Sequence, residues 1–406
     1  MADVAENLSA THKVAYANGL PTLLPEQFPI QKDIKFDTAK KLGDYYEEAV
    51  RLSLPGGFTH KIADGTAGAF ALNDAVGGSQ KKAKVYAYQF VLRDLLSYED
   101  AAKAKGGSTS YVEATSFFWE GLQMSMRKRN ETVLLHGQKG LGTIGTYTSG
   151  DPSIVVTTSE WAPQIWAGIE GTYIDVMSGT SGTVRGTVYV TKVDIENKKI
   201  WLSGTVSGAT AGDVLYFKGN YGQEAIGMHT ILTNTGTLMN IDAGTFSSWK
   251  ATQQAAGSAK LSFTLIKKAL GKSVGKGNMF NMKLYANPGG FEDLTEDIQQ
   301  LRNIDKSEVR RVEIGNDQVV YKSQGVTLEV IPHPMMKEGY AMGVIPELWH
   351  RVGAVDLQVG DPAENEKIFF NVTGVAGYEA RMYTNQAIYS EWPGVNFLIS
   401  GIVNTI

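Results

Sequence analysis

Six histidines, at positions 12, 60, 136, 229, 333 and 350, are the side chains of this chain best suited to bind a metal or to move protons. A metal site built on one helix shows itself as His-x-x-x-His beside a carboxylate. None of the six is spaced that way, which argues against a metal site. The 406 residues contain no cysteine, so disulfides, thiolate metal sites and a cysteine nucleophile are excluded.

Glycine motifs come next. Gly140-Leu-Gly142-Thr-Ile-Gly145 matches the dinucleotide fingerprint by letter. That motif must follow a strand and open a helix, so that backbone amides face the pyrophosphate. Here it follows a long helical pattern and leads into strand texture, and it reads as a turn. Gly271-Lys-Ser273 has the tail of a phosphate loop, but Ile266 stands where the earlier glycine belongs. Gly179-Thr-Ser181-Gly-Thr183 lacks the last glycine of a nucleophile elbow. No catalytic residue and no cofactor are expected.

Charged and aromatic clusters read as structure. Glu292-Asp293 and Glu296-Asp297 open a helical pattern, where carboxylates complement the helix dipole on a solvated face. Arg127-Lys128-Arg129 falls late in a helix and reads as a solvated face. Tyr86, Tyr88, Phe90, Phe117, Phe118 and Trp119 read as core rather than as a stacking platform. Net charge is −4, so a general grip on nucleic acid is excluded.

The elements that carry these residues are legible in the spacing. Tyr111, Phe118, Leu122, Met126 and Val133 recur at helical period, which predicts a long helix over 110–137. Ser110 with Glu113 forms its capping box and Gly137 its stop. Before it, Pro21, Pro25 and Pro29 mark an extended arm, and Asp37 to Ser53 read as a short helix. Residues 55–84 form a Gly-rich loop in which Phe58, Phe70 and Leu72 have no local core. Lys84–Arg93 alternates as a strand, and Asp94–Lys105 reads as a short helix before Gly106-Gly107.

From 150 to 235 the texture becomes a small β-barrel or sandwich. Val188, Val190, Ile200 and Leu202 alternate around Glu196-Asn197-Lys198, and the unit is expected to pack independently. Helices are predicted over 258–276 and 290–302, and strands over 281–286, 325–332 and 366–390. No basic, apolar leader and no membrane-spanning run stands out.

This order resembles the tailed-phage major capsid protein, the Hong-Kong-97-type fold. The residues that carry the resemblance are loop 55–84 with strand Lys84–Arg93 and the helix Ser110–His136. Others are Asn240-Ile-Asp-Ala-Gly-Thr-Phe-Ser-Ser-Trp249, Gly325–Pro334 and the strands near 366–390. The resemblance implies an α+β fold with an N-terminal arm and short helix over 1–54 and an extended loop and strand over 55–93. A peripheral domain with the spine helix follows over 94–149, an inserted β-domain over 150–235 and an axial domain over 236–355. Return strands and a C-terminal segment fill 356–406. It implies a shell subunit of a virion, assembled in the bacterial cytoplasm from pentamers and hexamers of itself. A separate scaffolding protein, a portal and a decoration protein are implied partners, with weak inner-surface contact to packaged dsDNA and no membrane. Phe58, Phe70 and Leu72 are the implied intersubunit contacts. Some relatives join subunits by a lysine–asparagine bond; Lys81, Lys82 and Lys84 and Asn365 and Asn371 do not align to that pair and read as solvated.

Two other readings stay open at this point. One is an encapsulin-like nanocompartment shell. The other is a carbohydrate-binding or adhesion protein with Trp161, Trp166 or Trp201 as a sugar platform, which requires those rings to be exposed.

Overall fold

The computed structural model describes residues 28–38, 43–62, 68–99, 109–179, 181–304, 319–359, 369–371, 374 and 376–405; at 109–117, 298–304, 369 and 371 it describes the backbone alone. His12, Pro21, Pro25, Ala39, Leu42, Gly65, Gly106, Gly107 and Asn365 lie outside these residues. So do the side chains of the Ser110–Glu113 capping box and of Tyr111.

A one-turn helix α1 (Pro29–Asp33) precedes the strands β1 (Tyr46–Arg51), β2 (Gln80–Val85) and β3 (Tyr88–Ser97). The expected helix over 37–53 is therefore a strand from Tyr46 onward. Its antiparallel ladder to β2, Tyr46↔Val85 through Arg51↔Gln80, supplies long-range hydrogen bonds that outweigh local helical spacing. The expected helix at 94–105 is likewise corrected at its start, because β3 continues to Ser97. The predicted strand Lys84–Arg93 is split at Tyr86-Ala87 between β2 and β3.

The spine helix α2 (Thr109–His136) has 28 residues and spans about 42 Å. Phe118, Leu122 and Met126 form its inner face. Its end differs in detail from the expected glycine stop. Gln138 takes the left-handed conformation (φ 64°), not Gly137. Gly137 is needed for close approach, since a Cβ there would fall on the Ala225 carbonyl oxygen.

A closed barrel follows, from β4 (Gly142–Tyr147), β5 (Ser153–Val156), β6 (Tyr173–Met177), β7 (Val184–Asp194), β8 (Lys199–Leu202) and β9 (Val214–Phe217), in the order β4-β5-β8-β7-β6-β9. Alternation of Ile144, Ile154, Ile174, Val176, Val190, Ile200 and Leu215 fills its interior. Between β5 and β6 lies a short helix α3 (Pro163–Trp166). The barrel does not pack independently. Its apolar side chains form one cluster with Leu134 and Leu135 of α2 and with Met335, Met336 and Trp349.

After the barrel come α4 (Met228–Thr233), a minimal pair β10 (Thr237–Leu238) and β11 (Ile241–Asp242), then β12 (Thr252–Ala255), α5 (Phe263–Val274), β13 (Met282–Ala286), α6 (Pro288–Ile304), β14 (Val319–Ser323), β15 (Val326–Pro332) and β16 (Tyr340–Val344). Ser262 caps α5. The chain closes with β17 (Trp349–Val359), β18 (Phe369–Asn371), β19 (Gly377–Ser390) and β20 (Phe397–Ser400).

Two sheets organise these elements. The first runs β12-β20-β16-β13-β15-β14. Leu265, Ile266, Ala269 and Leu270 of α5 and Leu294 of α6 pack with its buried residues. Strand β20 thus returns to this sheet rather than staying with β19. In the second, β3 lies along one edge of β19, from Gly377↔Ser97 to Gln386↔Tyr88, while β17 and β18 share the other edge. Ala380 and Met382 of β19 pack under α2.

Candidate intersubunit surface

Residues 52–62 and 68–79 leave the β1–β2 ladder as the two limbs of an arm. Gly56 N donates to Val76 O (3.1 Å), Asn73 N to Thr59 Oγ1 (2.8 Å) and Asn73 Nδ2 to Phe58 O (2.9 Å). A Cβ at Gly57 would lie 2.7 Å from Asp74 O, so glycine lets the limbs approach. On this narrow arm Phe58 is 68% exposed, Phe70 47% and Leu72 78%. Leu54, Ile62 and Val76 are exposed beside them. A two-limbed arm has no interior, so these side chains cannot be buried within it.

The root of the arm is anchored. Ala83 of β2 is buried with Ile241, Ala243 and Trp249. Lys82 pairs with Glu47 at 2.6 Å, Lys84 lies 4.6 Å from the Tyr45 ring centre and Lys81 5.2 Å from that of Phe246. These lysines are engaged within the hairpin and its footing, not merely solvated.

The basic run 127–129 is also not a solvated face. Arg127 is exposed, but Lys128 is buried and donates from Nζ to the Ala167 carbonyl. Arg129 donates to Thr172 Oγ1 (3.2 Å) and lies over the Phe217 ring at 4.8 Å. Burial pushes the Lys128 ammonium down to about 8. These two side chains fasten the barrel to the spine helix.

Three of the scattered histidines converge, which spacing alone did not signal. His333 Nε2 lies 3.0 Å from Glu131 Oε1, and both side chains are fully buried. Glu131 also accepts from Ile30 N (2.8 Å) and Gln31 N (3.1 Å), so it holds α1 against the spine. Asp33 at the other end of α1 meets Lys283 Nζ and Tyr285 Oη, each at 2.5 Å. Lys337 Nζ reaches Glu160 (2.6 Å) and Gly140 O (3.0 Å), and Tyr340 Oη donates to Glu160 (2.7 Å). His136 and His229 stack edge to face at 5.7 Å, and burial first, then the Lys337 charge, pushes both well below the usual imidazole range. These groups clamp spine, barrel and sheet together, and the side chains of Glu131, His333 and Lys337 are fully buried. Among the described residues, no group of three metal-ligating side chains comes together.

The remaining candidates separate. Gly140 takes φ 72° in a turn, while Gly142 and Gly145 lie in β4. Gly271-Lys-Ser273 is the last turn of α5. Glu296 and Asp297 meet Lys260 at 3.1 Å each, as surface carboxylates do, but Asp293 is fully buried and receives the Thr405 hydroxyl. Trp161 and Trp166 stack at 5.9 Å in the core with no exposure, so they form no sugar platform. Trp201 is half-buried between Lys192 and Lys199.

No protein-family model matches the chain, and no curated protein is similar to it in sequence. Solved structures are similar to it in fold. The capsid of Cyanophage A-1(L) superposes with a TM-score of 0.56 at 12% identity, over 98% of this chain and 99% of that one. The capsid of the native GTA particle gives 0.50 at 8% identity over 99% and 100%, and that of the empty GTA particle 0.51 at 8% over 96% and 95%. Identities this low carry the fold and nothing finer. From the arm through the spine helix to the last strand, this chain has the mixed α+β Hong-Kong-97-type capsid fold.

Proposed function

We propose that this chain is the major shell subunit of a tailed bacteriophage head, and that its work is association with copies of itself around packaged dsDNA. The observation that carries the proposal is the arm: Phe58, Phe70 and Leu72 stand exposed on a projection with no interior of its own. Burying such side chains against a neighbour stabilises the contact by roughly 1.5–3 kcal/mol each. In this reading α2 and the β3–β19 sheet are the peripheral domain, the sheet β12–β14 is the axial domain and the barrel is an insert between them. Among the described residues, no group of three metal-ligating side chains competes with that role. In this reading a separate scaffolding protein and a portal are its expected partners, and a decoration protein is a further candidate. Assembly would proceed in the host cytoplasm and end in the virion.

The test is deletion of residues 60–78 with scaffold co-expressed. The truncated subunit should fold yet fail to form stable closed shells in size-exclusion chromatography and electron microscopy. Normal, equally stable shells would remove the arm from the reading.

A further inference from the structure

Helix α5 has two opposed faces. Leu265, Ile266, Ala269 and Leu270 are buried with the residues of the first sheet. Thr264, Lys267, Lys268 and Lys272 recur at helical spacing on the other side and are exposed. Lys272 Nζ lies 3.4 Å from Gln253 O on the edge strand β12, and Lys276 Nζ donates to Lys250 O at 2.7 Å. Lys250 and Lys276 therefore extend the stripe along the sheet edge.

The stretch 243–291 holds seven lysines, no arginine and no acidic residue, in a chain whose net charge is −4. Lys260 is neutralised by Glu296 and Asp297, and Lys283 by Asp33. The other five, Lys250, Lys267, Lys268, Lys272 and Lys276, have no carboxylate partner among the described residues. Burial first, then the Lys250 charge, holds the Lys276 ammonium below the usual lysine range. Like charges gathered without counter-charges repel one another, and a bound polyanion removes that cost.

The make-up of the stripe selects the polyanion. Protein–protein contacts favour arginine, whose planar fork grips carboxylates, and are depleted in lysine. Lysine is a strongly hydrated point charge that suits phosphate. The exposed positions of α5 carry no aromatic ring on which an unpaired base could stack, which favours a duplex over a single strand. We propose that this lysine stripe is where the shell wall meets the phosphate backbone of packaged duplex DNA, without reading its sequence. The inference rests on the shell reading and turns α5 toward the interior. With roughly three to five phosphates neutralised, affinity falls about 10²–10⁴-fold between about 20 mM and physiological salt, so free subunits release DNA there.

The test is fluorescence anisotropy of a labelled random-sequence duplex with the full-length, unassembled chain at about 20 mM salt. Saturable binding is expected, at least about tenfold tighter than to polyglutamate of equal charge, because the duplex carries its charges about twice as densely. Lys267→Gln, Lys268→Gln and Lys272→Gln together should weaken binding about tenfold or more and lower the slope of log affinity against log salt by about 3. Lys32→Gln, Lys35→Gln and Arg127→Gln together remove the same charge from other exposed positions and should leave both unchanged. The wild-type comparison with polyglutamate needs no variant. No saturable binding, an unaltered slope in the stripe variant or an equal loss in the control variant would overturn the assignment. Equal or tighter binding of polyglutamate would overturn it in favour of an acidic protein segment. Shell formation is scored separately by electron microscopy: shells from a chain that fails this titration overturn the stripe alone, and a chain that titrates as expected but forms no shells overturns the shell reading.

Discussion

Glu131 of the spine helix and His333, just after β15, meet at 3.0 Å with neither side chain exposed to solvent. The same carboxylate receives the amides of Ile30 and Gln31, so one side chain ties three parts of the chain together. Glu131→Ala leaves those two amides and the imidazole without their acceptor. Removing one member of a buried charged network costs about 3–5 kcal/mol, and the denaturant midpoint should fall accordingly. Amide exchange at Ile30 and Gln31 should accelerate. An unchanged midpoint would mean that α1 is held by its apolar contacts alone.

Glu224 gives stability a pH dependence of known sign. Burial pushes its carboxyl from the ordinary 4.5 up to about 7. The folded state therefore holds a proton that the unfolded chain releases. Its contribution to stability is complete below about 4.5 and is lost as pH rises to about 7. Unfolding midpoints measured across that window should decline in the wild type and decline less in Glu224→Gln.

Lys128 acts at the alkaline side. Its folded value of about 8 lies below the ordinary 10.5, so the folded state releases a proton first. Stability should rise from pH 8 toward 10.5 and fall as pH drops through 8. Lys128→Met should flatten that rise, read as thermal midpoints in matched buffers.

Replacing Phe58, Phe70 and Leu72 together by serine should separate folding from association. Exposed side chains contribute little to the fold, so subunit stability should stay within about 0.5 kcal/mol. Shell yield, read by sedimentation and electron microscopy, should collapse. Loss of subunit stability instead would place these side chains in the subunit's own core.

Excising the barrel should damage the remainder. Leu134, Leu135 and Met335 share a cluster with Trp161 and Trp166, and a Gly/Ser linker would leave those side chains in water. Loss of a large buried aromatic alone costs about 3–5 kcal/mol. A soluble, cooperatively folding remainder with an unaltered near-UV spectrum would contradict the shared core.

Free subunits should bind DNA negligibly at physiological salt. Of the basic run only Arg127 is exposed, while Lys128 and Arg129 are committed to the barrel joint. Fluorescence anisotropy with a labelled duplex measures this directly, and tight, salt-steep binding would contradict a non-adhesive wall.

Local periodicity was sufficient wherever an element's own residues decide its form. The spine helix, the β7–β8 hairpin around Lys198, helix α5 and strands β13 and β15 follow from spacing, turn residues and caps. Tertiary structure decided what depends on partners far away in sequence. Residues 46–51 became a strand because β2 offered a ladder, against a helical spacing of Tyr46, Ala49 and Val50. The run 127–129 looked like a solvated helix face, but the barrel folds back onto it and supplies Ala167, Thr172 and Phe217 as partners. His136, His229 and His333, like Glu131 with Ile30, lie too far apart in sequence for any spacing to reveal their meeting. The exposed arm was legible for the converse reason. Phe58, Phe70 and Leu72 lie in a glycine-rich stretch and lack periodic apolar neighbours, and all three side chains are exposed among the described residues.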